Sequence, residues 1–140
     1  MDLQNEKCVM IINEHLPVGL IANTAAIMGI TLGMKKPEVV GVNAVDQTGY
    51  THLGIIEVPV PILTGNQETM KNLRKKLYEA KYSDLTVIDF SDLAQSCKTY
   101  DEFLERMKTI PEMDLNYFGI TIYGAKKKVN QLTGSMALLR

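Results

Sequence analysis

The feature that most constrains the fold is the junction between an apolar run, residues 7–12, and the long segment that follows it, residues 17–30. The run is short, nearly continuous and rich in β-branched side chains, which is typical of a strand covered on both faces. The next segment begins at Pro17, whose missing N–H costs nothing in the first turn of a helix, and we expect this helix to end near Gly33 as a left-handed terminator. A strand followed at once by a helix therefore opens the chain.

This predicted helix is almost wholly small or apolar, yet Asn23 and Thr24 lie side by side in its middle. In one interpretation Asn23 is a structural amide that pins a neighbouring loop, while Thr24 bonds back to the preceding turn. In the other, Asn23 points into a site at the strand ends. Because a buried unpaired amide costs roughly 1–3 kcal/mol, Asn23 needs a partner in either case, from protein, water or ligand.

Strand and helix patterns alternate along the remaining chain. The predicted elements are a hairpin of residues 39–45 and 50–56 around the turn 46–49, an edge or irregular strand 58–63, a helix from the cap Asn66 to Lys81, a strand 85–90, a short helical piece 91–95, a helix from the cap Thr99 to before Pro111, a strand 115–124, a helix 127–132 and an extended tail 135–139. This order predicts one α/β domain over residues 1–140, a three-layer mixed β-sheet with helices on both faces.

Composition limits the classes of function. With 46% hydrophobic and 22% charged residues in 140, the chain has the composition of a soluble globular protein. We expect no membrane span, because no stretch approaches the roughly 18–20 apolar residues required, and no secretion signal, which predicts a cytoplasmic protein. A net charge of −1 argues against a protein whose main work is binding nucleic acid. Cys8 and Cys97 lie far apart and predict buried free thiols.

Motifs that bind cofactors or perform covalent catalysis are missing from the sequence. It has no glycine-rich phosphate loop, no HExxH, no GxSxG and no flanking signature at either cysteine, so we expect no cofactor and no metal. Polar residues do follow the apolar strands, at the positions where open α/β sheets place ligand sites. The candidate ligand-binding residues are Asn13, His15, Asn23, Asp46, His52 and Asp89. A turn or helix-cap role is the alternative for each aspartate.

Several segments together resemble a known family. They are residues 7–12, 16–23, Val40-Gly41 with Asp46 and Gly49, and 117–134 with the terminal residues 138–140. This combination, which covers nearly the whole chain, resembles the domain of unknown function 2000 family, and that family looks related to the type II peptidyl-tRNA hydrolases. The resemblance implies a mixed four-stranded sheet covered by helices, with the 39–56 hairpin and the 99–110 helix as insertions.

The resemblance also implies catalytic positions that this chain does not fill. Such a hydrolase carries a Gly-Lys at the start of its first helix and an Ala-His about two turns later, where this chain has Gly19-Leu20 and, near the expected histidine, Ala26 and Ile27. Only Asp89 or Asp92 matches the hydrolase aspartate. The loss of a cation and a proton-transfer group predicts that hydrolysis does not carry over.

The functional prediction is therefore an uncharacterised protein that binds a small-molecule or peptide-like ligand on a hydrolase-like scaffold, with an enzymatic reaction left open. Peptidyl-tRNA hydrolysis and a non-catalytic oligomeric interaction module remain as alternatives. We expect a homodimer with residues 58–63 and the tail 136–139 as contact surfaces, since exposed apolar segments rarely stay bare.

Overall fold

The computed structural model describes residues 3–140, apart from the side chain of Leu3. Its strands and helices, in chain order, are β1 (Glu6–Asn13), α1 (Val18–Lys35), β2 (Ala44–Val45), β3 (Thr51–His52), β4 (Ile62–Gly65), α2 (Gln67–Leu77), β5 (Thr86–Ser91), α3 (Asp92–Ser96), α4 (Tyr100–Met107), β6 (Tyr117–Ala125) and α5 (Lys126–Thr133). Short 3-10 turns lie at Leu3–Asn5, Pro37–Val39, Ala80–Tyr82 and Glu112–Asp114. The predicted α/β class is confirmed.

Four strands form one mixed sheet in the order β4-β1-β6-β5. β1 is parallel to β4 and antiparallel to β6, and β5 is antiparallel to β6. The strands β1, β4 and β5 therefore end at the same edge of the sheet, which we call the strand-end edge. β4 is an outer strand, as predicted, but it begins at Ile62, after Pro59 and Pro61, rather than at residue 58, because proline cannot donate to a ladder.

The side chains of β1 divide the core into two layers. All five residues from Cys8 to Ile12 are buried. Val9 and Ile11 belong to a cluster with residues of α2 and α5, whereas Met10 and Ile12 pack with Met28 of α1 on the other face. The expected strand with both faces covered is therefore confirmed, and burial of such a side chain contributes roughly 1.5–3 kcal/mol.

The end of α1 differs from the prediction. Gly33 does not terminate the helix, since Gly49 is the only glycine with a positive φ among residues 3–140. The helix continues to Lys35, and Lys36 leaves the helical region with φ −131° and ψ 62°. Pro37 explains this end, because a proline disfavours the helical conformation of the residue before it.

The same helix corrects the expectation that no segment is long and apolar enough to cross a membrane. By length and composition alone, the 18 residues of α1 meet that requirement. Its inward side chains Thr24, Met28 and Leu32 are nevertheless at most 2% exposed. A core helix that covers one face of a sheet packs in this way.

The predicted hairpin forms a separate two-stranded ribbon, and we call residues 40–57 the arm. Its turn is the expected one, with Gly49 at φ 99° and its N–H donating to the Asp46 carbonyl at 3.0 Å. Near the base, a Cβ at Gly54 would lie 1.8 Å from the Gly41 carbonyl oxygen. The two strands therefore approach too closely there for any side chain at position 54.

The tail pairs with β4 of its own chain, and the expectation that the tail and residues 58–63 serve as contact surfaces stays a prediction, with Leu138 51% exposed. The Thr64 N–H donates to the Ala137 carbonyl and the Leu139 N–H to the Ile62 carbonyl, both at 2.8 Å. Val58 and Leu63 are only 6% and 7% exposed. The tail thus protects the outer edge of its own sheet, because an unpaired strand edge binds whatever extended chain lies nearest.

Two helix ends also depart from the pattern. α2 begins at the expected cap, where the Asn66 side chain and Thr69 form a reciprocal capping box, but it ends at Leu77 rather than Lys81. The chain turns at Glu79, and Tyr82 is then buried. At α4 the Thr99 hydroxyl accepts the Glu102 N–H as predicted, whereas the Glu102 carboxylate accepts from Lys98, one residue earlier than a capping box requires.

Candidate functional site

The strand-end edge gathers three helix starts, because α1, α2 and α3 each follow one of the strands that end there. Asn13 ends β1 and is 9% exposed. Its side-chain oxygen accepts the N–H of His15 at 3.0 Å, which closes the turn into α1. The His15 ring is largely exposed, 3.7 Å from the Glu14 carboxylate. Asn13 therefore serves the backbone, and His15 lies on the surface.

Asn23 and Thr24 have different roles from each other. Asn23 is exposed, and its amide N–H donates to the Gln95 side-chain oxygen at 3.3 Å, which links α1 to α3. Thr24 is fully buried, and its hydroxyl oxygen has no hydrogen-bond partner. The structural interpretation of Asn23 is supported by this bond, whereas the bond expected from Thr24 to the preceding turn is not formed.

Asp46 and His52 lie at the tip of the arm, where every residue from 42 to 53 is exposed. One Asp46 oxygen accepts the N–H groups of Thr48, Gly49 and Tyr50, and the other lies 2.7 Å from His52 Nε2. The hydrogen bond from His52, with the turn amides, holds the pKa of Asp46 below its usual range. The pair orders a turn away from the other candidates.

Asp89 lies on β5 and forms an ion pair with α2. Its carboxylate accepts from Arg74 Nε at 2.8 Å, with the two side chains 25% and 13% exposed. The Arg74 guanidinium also lies 4.1 Å above the centre of the Tyr78 ring. Asp89 thereby has a structural partner in Arg74.

Asp92 is the other aspartate at this edge, and both of its carboxylate oxygens accept hydrogen bonds from the chain. Its carboxylate accepts from the backbone and side-chain N–H groups of Asn116 at 3.3 and 3.0 Å, and from the Leu93 N–H at 2.8 Å. These bonds join the start of α3 to the start of β6. The carboxylate has a structural role.

Gln67 is a polar residue at this edge that the sequence did not single out. Its side-chain amide donates to the Tyr117 carbonyl at 2.8 Å and accepts the Tyr117 N–H at 3.1 Å. The amide thereby replaces a missing strand neighbour. The Tyr117 hydroxyl donates to Glu112 at 2.6 Å, and burial together with this bond raises the pKa of Tyr117.

A cavity of about 380 Å³ lies beside β5, and we call it the α1–α4 cavity. Its lining residues are Ile27, Thr31, Asp89, Phe90, Ala94, Cys97, Lys98, Thr99, Tyr100 and Phe103. Of the six candidates from the sequence, only Asp89 lines it. The phenyl rings and Ile27 form apolar walls next to hydroxyl, thiol and ammonium groups, a lining typical of small-molecule sites.

A second cavity, of about 510 Å³, lies at the opposite edge of the sheet, near the start of β1. It is lined by Gln4, Glu6, Lys7, Glu57, Val58, Pro59, Pro61 and Lys126. One Glu6 carboxylate oxygen is buried without a hydrogen-bond partner, while Lys7 Nζ donates to the Asn130 side chain at 2.7 Å. Nothing in the sequence pattern indicated this cavity.

Residues 6–140 match the family described as a protein of unknown function (DUF2000). The chain belongs to the DUF2000 family. Its fold is similar to that of the protein of unknown function Atu0240 from Agrobacterium tumefaciens strain C58, with a TM-score of 0.85 and 15% identity over 96% of this chain and 97% of that one. At this identity the likeness concerns the fold alone. Among curated proteins there is no significant match.

In the folded DUF2000 chain, the residues that the sequence grouped as one site thus lie in separate places. Asn13 and Asp92 bind backbone groups at the strand-end edge, Asp46 and His52 order the arm, and Asp89 binds Arg74. Within residues 3–140 no three His, Cys, Asp or Glu side chains come together as metal ligands. Half of the ten residues that line the α1–α4 cavity lie on α1, α3 and α4, and the others lie on β5 and in the loop 97–99, so no single segment of the sequence marks the cavity.

Proposed function

We propose that this DUF2000 protein binds a small organic molecule in the α1–α4 cavity. The observation that supports this most is the lining, in which Ile27, Phe90 and Phe103 provide apolar walls next to several polar groups. A volume of about 380 Å³ falls within the roughly 300–1,000 Å³ of small-molecule sites. The Asn23–Gln95 bond supports a formed cleft, because it ties α1 to α3.

The polar groups define what such a ligand carries. The Lys98 ammonium forms none of the ion pairs found among residues 3–140, so it is available to a negative group. The Thr31 hydroxyl lines the same cavity and offers both a donor and an acceptor. The proposed ligand therefore has a flat apolar body with a carboxylate or similar acceptor at one end.

Binding is favoured over proton-transfer chemistry because the carboxylates near the strand-end edge are already bonded to residues of the chain. Asp89 is held by Arg74 and Asp92 by Asn116, and Ile27 stands near the place of the hydrolase histidine in the resemblance described above. The type II peptidyl-tRNA hydrolase scaffold is thus part of the proposal as an architecture, without its reaction.

A thermal-shift screen against metabolites and nucleotides tests the binding proposal. A ligand at a hundred times its Kd adds about 2.7 kcal/mol of stability, a shift of several degrees in Tm. The variant Ala94→Leu, which fills the cavity, should abolish the shift, and Ala80→Leu on an exposed turn should keep it. If no compound shifts Tm, or if Ala94→Leu binds as the wild type does, the site is not this cavity.

Peptidyl-tRNA hydrolysis is tested separately with labelled peptidyl-tRNA at physiological salt, beside a true hydrolase. We expect no turnover above background, since a missing acid/base group typically costs 10²–10⁴-fold in rate. Turnover near that of the true enzyme, lost in a folded Asp89→Asn variant, would replace binding by hydrolysis as the function.

A further inference from the structure

Large exposed apolar side chains are concentrated in two consecutive segments of the chain, α1 and the arm. Of the 14 exposed large hydrophobic residues in the described part, nine lie between positions 18 and 55. They are Val18, Ile30 and Met34 on α1, with Val40, Val42, Val45, Tyr50, Leu53 and Ile55 in the arm. We call the exposed side of α1 together with the arm the α1–arm surface. Monomeric proteins rarely leave large apolar patches exposed.

The same surface is almost free of charge. Of 15 basic and 16 acidic residues in the chain, α1 and the arm contain three: Lys35 in the last turn of the helix, Asp46 at the tip of the arm and Glu57 at its base. Asp46 is itself paired with His52. Depletion of charged side chains is the compositional signal of the core of a protein–protein interface.

The arm gives an independent reason to expect a partner. Residues 42–53 are all exposed, so the ribbon is supported by little of the chain beyond its own base. A lone two-stranded hairpin is marginally stable at best in water. An ordered arm with apolar side chains therefore fits a chain that packs against another surface.

The exposed side of α1 is complementary to itself. Val18, Ala22, Ala26, Ile30 and Met34 follow one another at four-residue spacing, all exposed, with Ala26 in the centre. In a second α1 running antiparallel about a two-fold axis at Ala26, Ala22 lies opposite the partner's Ile30. A small residue then meets a large one on each side of the axis, which suits ridge-into-groove packing.

The extent of the surface also fits. α1 has eight exposed residues and the arm has 15, which together reach the roughly 20–30 residues per side of a standard stable interface. We propose that the α1–arm surface is the interface of a two-fold homodimer, with antiparallel α1 helices crossing at Ala26. Each arm then begins beside the first turn of the partner's α1, because the arm starts five residues after Lys35.

Light scattering over a concentration series gives the first test. We expect twice the 15.6 kDa mass of one chain. Ile30→Glu puts a charge next to the axis of both copies and should weaken dimerisation by roughly 10²-fold or more. Met113→Glu is the matched control, since Met113 is 73% and Ile30 76% exposed, and it should remain dimeric. Far-UV circular dichroism verifies that both variants are folded.

A cross-linking test locates the axis. In a Cys97→Ser background, Ala26→Cys should form a disulfide with the partner's identical residue under mild oxidation, because a residue at a two-fold axis meets its own copy. Asn72→Cys on the exposed side of α2 is the control and should not cross-link. Cys8 is fully buried and does not interfere.

Three results would overturn the proposal. They are a monomer at every concentration, a dimer that Ile30→Glu leaves intact, and equal cross-linking at positions 26 and 72. Co-sedimentation with vesicles of anionic and neutral phospholipid is measured alongside. A monomer that binds these vesicles, and loses binding in Ile30→Glu, would assign the surface to a membrane instead.

Discussion

The two principal helices of this protein, α1 and α2, pack on opposite faces of one sheet, and the side chains on their outer sides differ in polarity. α2 buries Met70, Leu73 and Leu77 and leaves Glu68, Lys75 and Lys76 exposed. α1 buries Thr24, Met28 and Leu32 but carries apolar side chains outward as well. A helix that is apolar all round is normally buried all round. This difference is the reason for the proposal that α1, unlike α2, packs against a second copy of the chain.

The largest expected effect tests whether both helices are anchored equally inside. Met28 and Met70 are each fully buried, one on α1 and one on α2. Met28→Ala and Met70→Ala should each lower the free energy of unfolding by about 2–5 kcal/mol, since each leaves a cavity. Urea unfolding measures both. A loss below about 1 kcal/mol for Met28→Ala alone would mean that α1 is loosely packed even on its inner face.

The second prediction concerns the ion pair that completes the α2 side. Asp89→Asn leaves Arg74 without its charged partner and should cost about 1–2 kcal/mol, because the pair is only partly exposed. Asp84→Asn, which removes the more exposed partner of Lys128, should cost less than Asp89→Asn. Equal losses in thermal unfolding would contradict the difference in burial.

A smaller effect distinguishes the stability of the single chain from the stability that the proposed dimer adds. A Cβ at Gly33 would meet nothing within 4 Å in the chain. Gly33→Ala should therefore stabilise the monomer by about 0.5–1 kcal/mol, the difference in helix propensity. Unfolding of the wild type and the variant in the monomeric Ile30→Glu background measures it. A loss of stability there would show that the glycine serves the chain itself.

The smallest effect is the pH dependence of the arm. The pKa of Asp46 lies below the ordinary 3.8, chiefly because of the hydrogen bond with His52. Since the folded arm favours the ionised form, this contribution is present above the ordinary pKa and is lost as the pH falls through the lowered value. NMR shifts of the Thr48, Gly49 and Tyr50 amides should change below pH 3.8 and remain flatter in Asp46→Asn. Identical pH curves in the wild type and in Asp46→Asn would show that the Asp46 carboxylate does not order the turn.

Local chemistry written in the sequence determined most of the elements. The apolar run of β1, the caps Asn66 and Thr99 and the turn ending in Gly49 each act over a few residues, so each was predicted in place. The prolines predicted the outer position of β4 but not its bounds, because the strand begins only after them. Errors arose where the next residues decided the outcome. α1 continues past Gly33 and ends at Lys35, before Pro37, and burial of Tyr82 shortened α2.

Contacts between distant segments decided the rest, because they depend on which strands become neighbours. The order β4-β1-β6-β5 brings Asp89 to Arg74, Asn23 to Gln95 and the tail to β4. Polar residues that look like one site in the sequence are thereby separated into turn, cap and ion-pair roles. The sequence alone determined that α1 is apolar, but only the tertiary structure shows which of its apolar side chains the sheet covers, because a sheet can bury just one side of a helix.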